Sequence, residues 1–299
     1  MSGGSDMKNN TISLAGKSIL ITGGSMGIGF AAALECAKAG ANITICARNL
    51  DKVNSAVLKI KNKYPCVKIN GVSADITDLI QIENAINLIE GTYGVLNGVI
   101  HSAGIYGPIG KITDVDPESW FEAIKINLFG TFLVTRQSIE RMQKLGVKGK
   151  IALFSGGGAA TPFPNFTSYA SSKVGVVRFS ESVALEFLDD NISVNSIAPG
   201  FVATRLHEQT LVAGPILAGK SFYDQTADKI INGSAVLPEV GGRCAAFLMS
   251  DASDGINGKF IAAPYDDYQS WCEKVDLISG TDLFTLRRIL PKDRGQNWQ

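Results

Sequence analysis

Seven short apolar runs rich in β-branched residues punctuate the chain, at 18–22, 42–46, 67–72, 98–101, 150–154, 193–197 and 259–262. Between them lie longer stretches with apolar residues three and four apart, such as 28–39 and 120–145. A strand that returns parallel to the last needs a crossover of a dozen or more residues, usually a helix, and such helices cover both faces of the sheet. The rhythm therefore predicts an α/β fold, a Rossmann-like doubly wound parallel sheet of about seven strands in three α/β/α layers. No linker-like break interrupts 13–263, and 299 residues at 45% hydrophobic content can bury one large core. Polar, Gly/Ser-rich residues 1–12 read as a flexible leader. Residues 203–237, with Gly214, Pro215, Gly219 and Gly233, read as a mobile substrate-loop segment. The extension 264–299 carries Trp271, Phe284, Leu286 and Ile289. That is too much apolar surface for a disordered tail, so it is expected to pack on the domain or on a neighbouring subunit.

Charge narrows the partners. Lys+Arg and Asp+Glu are equal at 28 each, and no basic run stands out. Nucleic acid and an anionic membrane surface are therefore not the expected partners. Nowhere do eighteen apolar residues run together, so no membrane span is expected. The five cysteines are scattered, which suits a reduced, cytoplasmic protein. With only His101 and His207 and no Cys-x-x-Cys, no metal site is expected.

After the first strand comes Thr22-Gly23-Gly24-Ser25-Met26-Gly27-Ile28-Gly29, which leads into an alanine-rich helical pattern. Glycines there permit a tight turn and a close approach of backbone to a pyrophosphate, which then meets the free N–H groups of the helix start. Glycine is frequent, at 32 residues, but only this cluster follows the first strand and opens a helix. A second feature concerns chemistry. Tyr169-Ala170-Ser171-Ser172-Lys173 opens an uninterrupted helical pattern, so phenol and ammonium share a face. The ammonium is expected to lower the phenol pKa and make Tyr169 a general acid/base. Another Tyr-x-x-x-Lys, Tyr64 to Lys68, has Pro65 directly after the tyrosine and is not expected to be helical.

Together these motifs resemble the short-chain dehydrogenase/reductase family, whose glycine signature is Thr-Gly-x-x-x-Gly-x-Gly, and the resemblance spans about residues 15 to 263. It implies a nicotinamide-dependent oxidoreductase interconverting an alcohol and a carbonyl. It also implies Asn127 as a helix asparagine that holds a proton-relaying water, and Lys173 as a ligand of the nicotinamide ribose. A serine hydroxyl that holds the substrate oxygen completes the set. The family places that serine thirteen residues before the tyrosine, whereas Ser155 lies fourteen before Tyr169 and Gly156 takes the usual place. A loop longer by one residue around Pro162-Phe163-Pro164 is expected to let Ser155 keep the role. Where relatives have Asn-Asn-Ala-Gly this chain has His101-Ser102-Ala103-Gly104. Ala103 and Gly104 are expected at the cofactor and His101 in the core. Pro199, Gly200, Val202 and Thr204 match the nicotinamide-binding segment, and Asp75 the residue that meets adenine.

Cofactor choice turns on the end of the second strand. NAD-selective relatives carry an acidic residue where this chain has Ala47, and Arg48 follows. A guanidinium pairs well with a 2′-phosphate, and Ser25 adds a hydroxyl. Met26 stands where some relatives have a second basic residue, so NADP(H) is expected to be preferred over NAD(H) without excluding it. The expected substrate is a small-molecule carbonyl or alcohol, with a 3-oxoacyl thioester first and a nucleotide-linked or phosphorylated sugar second. A cofactor-binding scaffold or sensor is the non-enzymatic alternative. Phe129, Phe132, Leu133, Val176 and Phe179 are expected to supply apolar surface for a homodimer or homotetramer.

Overall fold

The computed structural model describes residues 12–298, so the leader expected at 1–12 lies outside the described residues apart from Ile12. Seven strands, β1 (Ser18–Thr22), β2 (Asn42–Ala47), β3 (Ile69–Ser73), β4 (Gly98–His101), β5 (Gly149–Phe154), β6 (Ile192–Ala198) and β7 (Phe260–Ala262), form one sheet. Its order is β3-β2-β1-β4-β5-β6-β7, and every pair is parallel. Thr22 at the end of β1 pairs with Cys46 of β2 on one side and His101 of β4 on the other. The chain reverses its winding direction there, and in open α/β sheets that switch point is where a crevice opens beyond the strand ends.

Alternation along the strands splits the core in two. Ile19, Ile21, Ile43 and Ile45 pack on the side of α1 (Gly27–Lys38) and α9 (Pro238–Met249). Leu20, Val99, Ile151, Leu153 and Val194 face α3 (Leu79–Tyr93), α5 (Gly130–Lys144) and α6 (Thr167–Glu186). Fully burying each such side chain contributes about 1.5–3 kcal/mol. Small residues set the spacing of α1 and α9: a Cβ on Gly242 would lie 2.9 Å from the backbone carbon of Ala31. Side-chain caps start several helices. Asn49 accepts from Lys52 N at 2.9 Å at the head of α2 (Leu50–Lys63), and Asp116 accepts from Ser119 N at 2.8 Å ahead of α4 (Pro117–Ile124).

Two expectations need revision. The single helix read over 120–145 is α4 and α5 joined by a π-helical turn, Lys125–Phe129, centred on Asn127. Thr131 Oγ1 donates to the Asn127 carbonyl at 2.6 Å, supporting the widened turn. Residues 203–237, read as a mobile segment, fold into α7 (Arg205–Ala218) and α8 (Lys220–Ile231). Gly214, at φ 77 and ψ 171, kinks α7 just before Pro215, a conformation that glycine adopts without strain. Among the described residues no helix is long and apolar enough to cross a membrane.

The extension packs against the domain. Tyr268, Trp271 and Ile278, the last in α10 (Val275–Ile278), join the α1/α9 core, and Trp271 lies 4.2 Å from the ring of Phe284. Phe260 N donates to Phe284 O at 2.7 Å, so the tail covers the edge strand β7. Lys259 Nζ holds the carbonyls of Thr281 and Leu283 at 2.8 and 3.1 Å, while Glu181 of α6 accepts from Leu286 N at 2.7 Å. Trp271, 4% exposed, anchors this arrangement. Replacing it with alanine is expected to lower unfolding free energy by about 3–5 kcal/mol in urea denaturation. A loss under about 1 kcal/mol would show that the tail is not part of the cooperative unit.

Candidate active site

The glycine turn opens the crevice because its backbone has almost no room elsewhere. A Cβ on Gly29 would lie 2.4 Å from Gly23 O, and one on Gly23 would lie 2.7 Å from Ala103 N. These two glycines therefore serve the packing of α1 on β1 and β4. Gly27, at φ 56, meets only the Thr204 methyl at 3.6 Å and borders the open space. That space is a cleft of about 440 Å³ lined by Gly23, Ser25, Met26, Gly27 and Ile28 along the turn. Ala103, Gly104, Thr204 and Asp75 line it elsewhere. Asp75 Oδ1 also accepts from Thr77 N and Oγ1, both at 2.8 Å.

At one end of the cleft stand Ala47, Arg48, Asn49 and Lys52. Lys52, one turn into α2, adds a second cation to the rim. In the sequence it looks like any solvated helix lysine. Its position four residues after Arg48, behind the Asn49 cap, was the available signal. Pro199, Gly200 and Val202 do not border the cleft. Val202 is buried and bridges to Val236, and Gly200 packs under Pro264. Only Ala203 to Leu206 of that segment reach the opening.

Beyond Gly104 and Ile105 the catalytic candidates converge at the start of α6. Asn127 is fully buried, accepts from Ile105 N at 2.8 Å, and donates to Ile105 O at 2.8 Å and Ser172 Oγ at 3.0 Å. Lys173 Nζ donates to Phe154 O at 2.9 Å and lies 5.8 Å from the centre of the Tyr169 ring. Burial pulls Lys173 down to about 8. Burial likewise pushes Tyr169 up to about 12, opposite in direction to the lowering expected from the ammonium. His101 is buried as expected, with Thr22 Oγ1 and its Nδ1 2.8 Å apart across β1 and β4. Burial, reinforced by the Lys173 charge, lowers it to about 3 and keeps it neutral.

Ser155 does not stand at the phenol. Its Oγ donates to the Lys173 carbonyl at 2.9 Å, fastening α6 to the end of β5. Gly156 faces the reacting group instead: a Cβ there would lie 2.7 Å from the Tyr169 hydroxyl oxygen. The inferred longer loop is therefore corrected. The thirteen-residue spacing is kept, and glycine occupies the serine's position.

An aromatic cage closes over Tyr169, which is 9% exposed. Tyr106 meets it edge-on at 4.8 Å and Phe163 at 6.2 Å. Phe163 stacks on Phe166 at 4.4 Å, and Phe222 of α8 packs edge-on against both. No sequence pattern pointed to this cage, because its rings come from three separate segments: Tyr106, Phe163 with Phe166, and Phe222. On the outside, a groove between Gly107, Ile109 and α7 shares Arg205 with the cofactor-side cleft.

Comparison with known proteins agrees with this arrangement. The chain is 31% identical over 255 residues to the 3-oxoacyl-(acyl-carrier-protein) reductase FabG of Aquifex aeolicus, covering 84% of this chain and 96% of that one. It is 29% identical over 266 residues to versicolorin reductase 1 of Dothistroma septosporum, covering 85% and 97%. Among solved structures, an actinorhodin polyketide ketoreductase with NADPH superimposes with a TM-score of 0.74 at 23% identity, over 82% of this chain and 95% of that one, a likeness of fold. The relatives are oxidoreductases of carbonyl and alcohol groups, and so is this protein. The family model described as short chain dehydrogenase matches residues 17–212, a span that takes in the glycine turn, the cleft and the Tyr169–Lys173 pair, and the chain belongs to that family.

Proposed function

We propose that the protein is an NADP(H)-preferring reductase of flat, cyclic ketones, with Tyr169 as its general acid. The observation that carries the substrate class is the cage of Tyr106, Phe163, Phe166 and Phe222 around the phenol. Aromatic walls favour offset or edge contacts with another ring. An acyl thioester, the class named by the Aquifex relative, would gain less from such walls. The cleft suits a dinucleotide because Gly27 leaves it open where a side chain would fill it. Ser25 and the Gly27 turn would hold the pyrophosphate end, Asp75 the adenine, and Arg48 with Lys52 a 2′-phosphate.

A nicotinamide bound in the cleft would supply the hydride. The chain supplies the rest. Tyr169, a phenol protonated at neutral pH and held more firmly so by burial, donates its hydroxyl proton to the ketone oxygen as negative charge develops there. Lys173 would stabilise the resulting phenolate and would hold the ribose of a bound cofactor. Asn127 clamps Ile105 and widens the helix, which positions both. Ser155 acts as a positioning residue through the Lys173 backbone. With Gly156 beside the phenol, proton donation rests on Tyr169 alone.

Self-association is proposed through the α5–α6 face. Phe129 stacks on Phe132 at 5.9 Å, Phe132 meets Phe179 at 6.4 Å, and the first two are 44% and 39% exposed. Leu133 and Val176 are buried within the domain and contribute nothing to that surface. The pairing gives a homodimer or homotetramer, and the compartment proposed is the cytoplasm.

Three measurements test this reading. Tyr169→Phe is expected to lower kcat for ketone reduction by at least about 100-fold, the scale of a lost general acid, with NADPH binding kept; near-normal turnover would remove Tyr169 from the mechanism. The second is the cofactor ratio: kcat/KM is expected to favour NADPH over NADH by at least about tenfold. Ala47→Asp with Arg48→Ile should reverse that ratio, and equal use of both cofactors by the unmodified protein would refute the phosphate site. The third is pH. Burial favours the neutral amine of Lys173, so its charge is lost as pH rises through about 8, and reduction should decline there. Lys173→Arg, which stays charged, should abolish that limb. A flat profile from about pH 6 to 10 in the unmodified enzyme would count against a catalytic lysine.

A further inference from the structure

Gly156 follows Ser155 beyond the end of β5 and leads into the short turn Gly157–Ala159. Its backbone is fully extended, at φ −179 and ψ 172, so no left-handed conformation demands glycine there. Its surroundings do. The three heavy atoms nearest to a Cβ on Gly156 all belong to the Tyr169 phenol: the hydroxyl oxygen at 2.7 Å, Cζ at 3.5 Å and Cε1 at 3.6 Å. The neighbouring glycines differ. A Cβ on Gly157 would meet nothing within 4 Å, and one on Gly158 would meet Phe163 at 3.2 Å and Ala170 at 3.5 Å. Gly156 alone of this run keeps space for the reacting oxygen.

A hydroxyl at the tip of a free side chain would swing away from an added methyl group. The Tyr169 ring is not free. Tyr106 meets it edge-on at 4.8 Å, Phe163 stands at 6.2 Å, and the residue is buried. Its helix is pinned as well, since Ser155 Oγ donates to the Lys173 carbonyl and Lys173 Nζ donates to the Phe154 carbonyl, each at 2.9 Å. Ordinary van der Waals contact begins near 3.4 Å, so a Cβ would displace the phenol oxygen by about 0.7 Å or drive the ring into its neighbours. Ser155 offers no substitute donor at the phenol, because its hydroxyl is committed to the helix.

Resting on the reading of Tyr169 as the general acid, we infer that Gly156 is the positioning residue of the proton donor, its missing side chain forming the seat of the Tyr169 hydroxyl oxygen. Two consequences follow from that seat. A serine at 156 brings no useful second donor, because the carbon that would carry its hydroxyl falls on the phenol oxygen. The carbonyl to be reduced must also reach the phenol from the side away from Gly156.

The test compares Gly156→Ala, Gly156→Ser and Gly157→Ser in NADPH-dependent reduction of 2-tetralone. Both substitutions at 156 are expected to lower kcat by about 100-fold, the scale of an ångström misplacement of a reacting group. NADPH affinity, followed by fluorescence, should stay within about threefold in each, which also shows that the variants are folded. Gly157→Ser should keep turnover within about threefold of the original. The second readout is the carbon-13 resonance of the Tyr169 ζ carbon in the cofactor-free protein. It should move in both variants at 156 and stay in place in Gly157→Ser. A Gly156→Ser enzyme as fast as the original or faster would overturn the inference, as would loss in Gly156→Ala alone or an unmoved Tyr169 resonance. Near-normal turnover in Tyr169→Phe, or no ketone reduction by the unmodified protein, would instead remove the general-acid reading. The resonance comparison then decides by itself whether Gly156 seats the phenol.

Discussion

The reaction centre depends on how one helix is tied to one strand. Lys173 Nζ donates to the carbonyl of Phe154, the last residue of β5, and Ser155, the next residue, returns a hydrogen bond to the Lys173 carbonyl, each at 2.9 Å. This reciprocal pair is buried, where leaving either partner unsatisfied costs about 1–3 kcal/mol. It fixes the first turns of α6 against the strand end beside the switch point, and with them the phenol of Tyr169. Everything that approaches Tyr169 does so relative to this joint: Asn127 through Ser172, Gly156 through its missing side chain, and the cage through Tyr106.

The same helix is held at its other end by the extension. Glu181 and Arg178 are paired at 2.6 Å, and both bind the backbone of Leu286. The tail thus steadies the helix that carries the reacting groups while it covers the edge of β7. Lys259, buried just before β7, contributes from the edge of the sheet. One element links the chemistry, the sheet edge and the residues beyond the last strand.

Much of this was legible in the sequence for simple reasons. Period-two and period-four patterns are local, so strands and helices stood out, and Tyr169 and Lys173 needed only helical spacing to be paired. The glycine turn was legible because its position after the first strand is itself informative. Other features depend on distant chain segments. The cage joins residue 106 to residues 163, 166 and 222, and no local pattern connects them. Lys52 reaches the cleft only because α2 starts where it does. Ser155 misled because a strand-end hydroxyl satisfied the chemistry on paper, whereas its actual partner is a helix carbonyl eighteen residues away. The Pro199–Gly200 pair was expected at the cofactor, yet of that segment only Ala203 to Leu206 line the cleft, since a strand end must first turn before its loop can reach an opening.

At the centre of this account is a phenol whose pKa is raised by burial rather than lowered by its neighbouring ammonium. The most direct test is a titration of the protein labelled with carbon-13 at the tyrosine ζ position and followed by NMR, with Tyr169→Phe identifying the resonance. The Tyr169 signal is expected to remain that of a neutral phenol well past the ordinary tyrosine range, toward about 12. A midpoint below about 9 in the cofactor-free protein, under the reference value of about 10 for an unperturbed tyrosine, would contradict it.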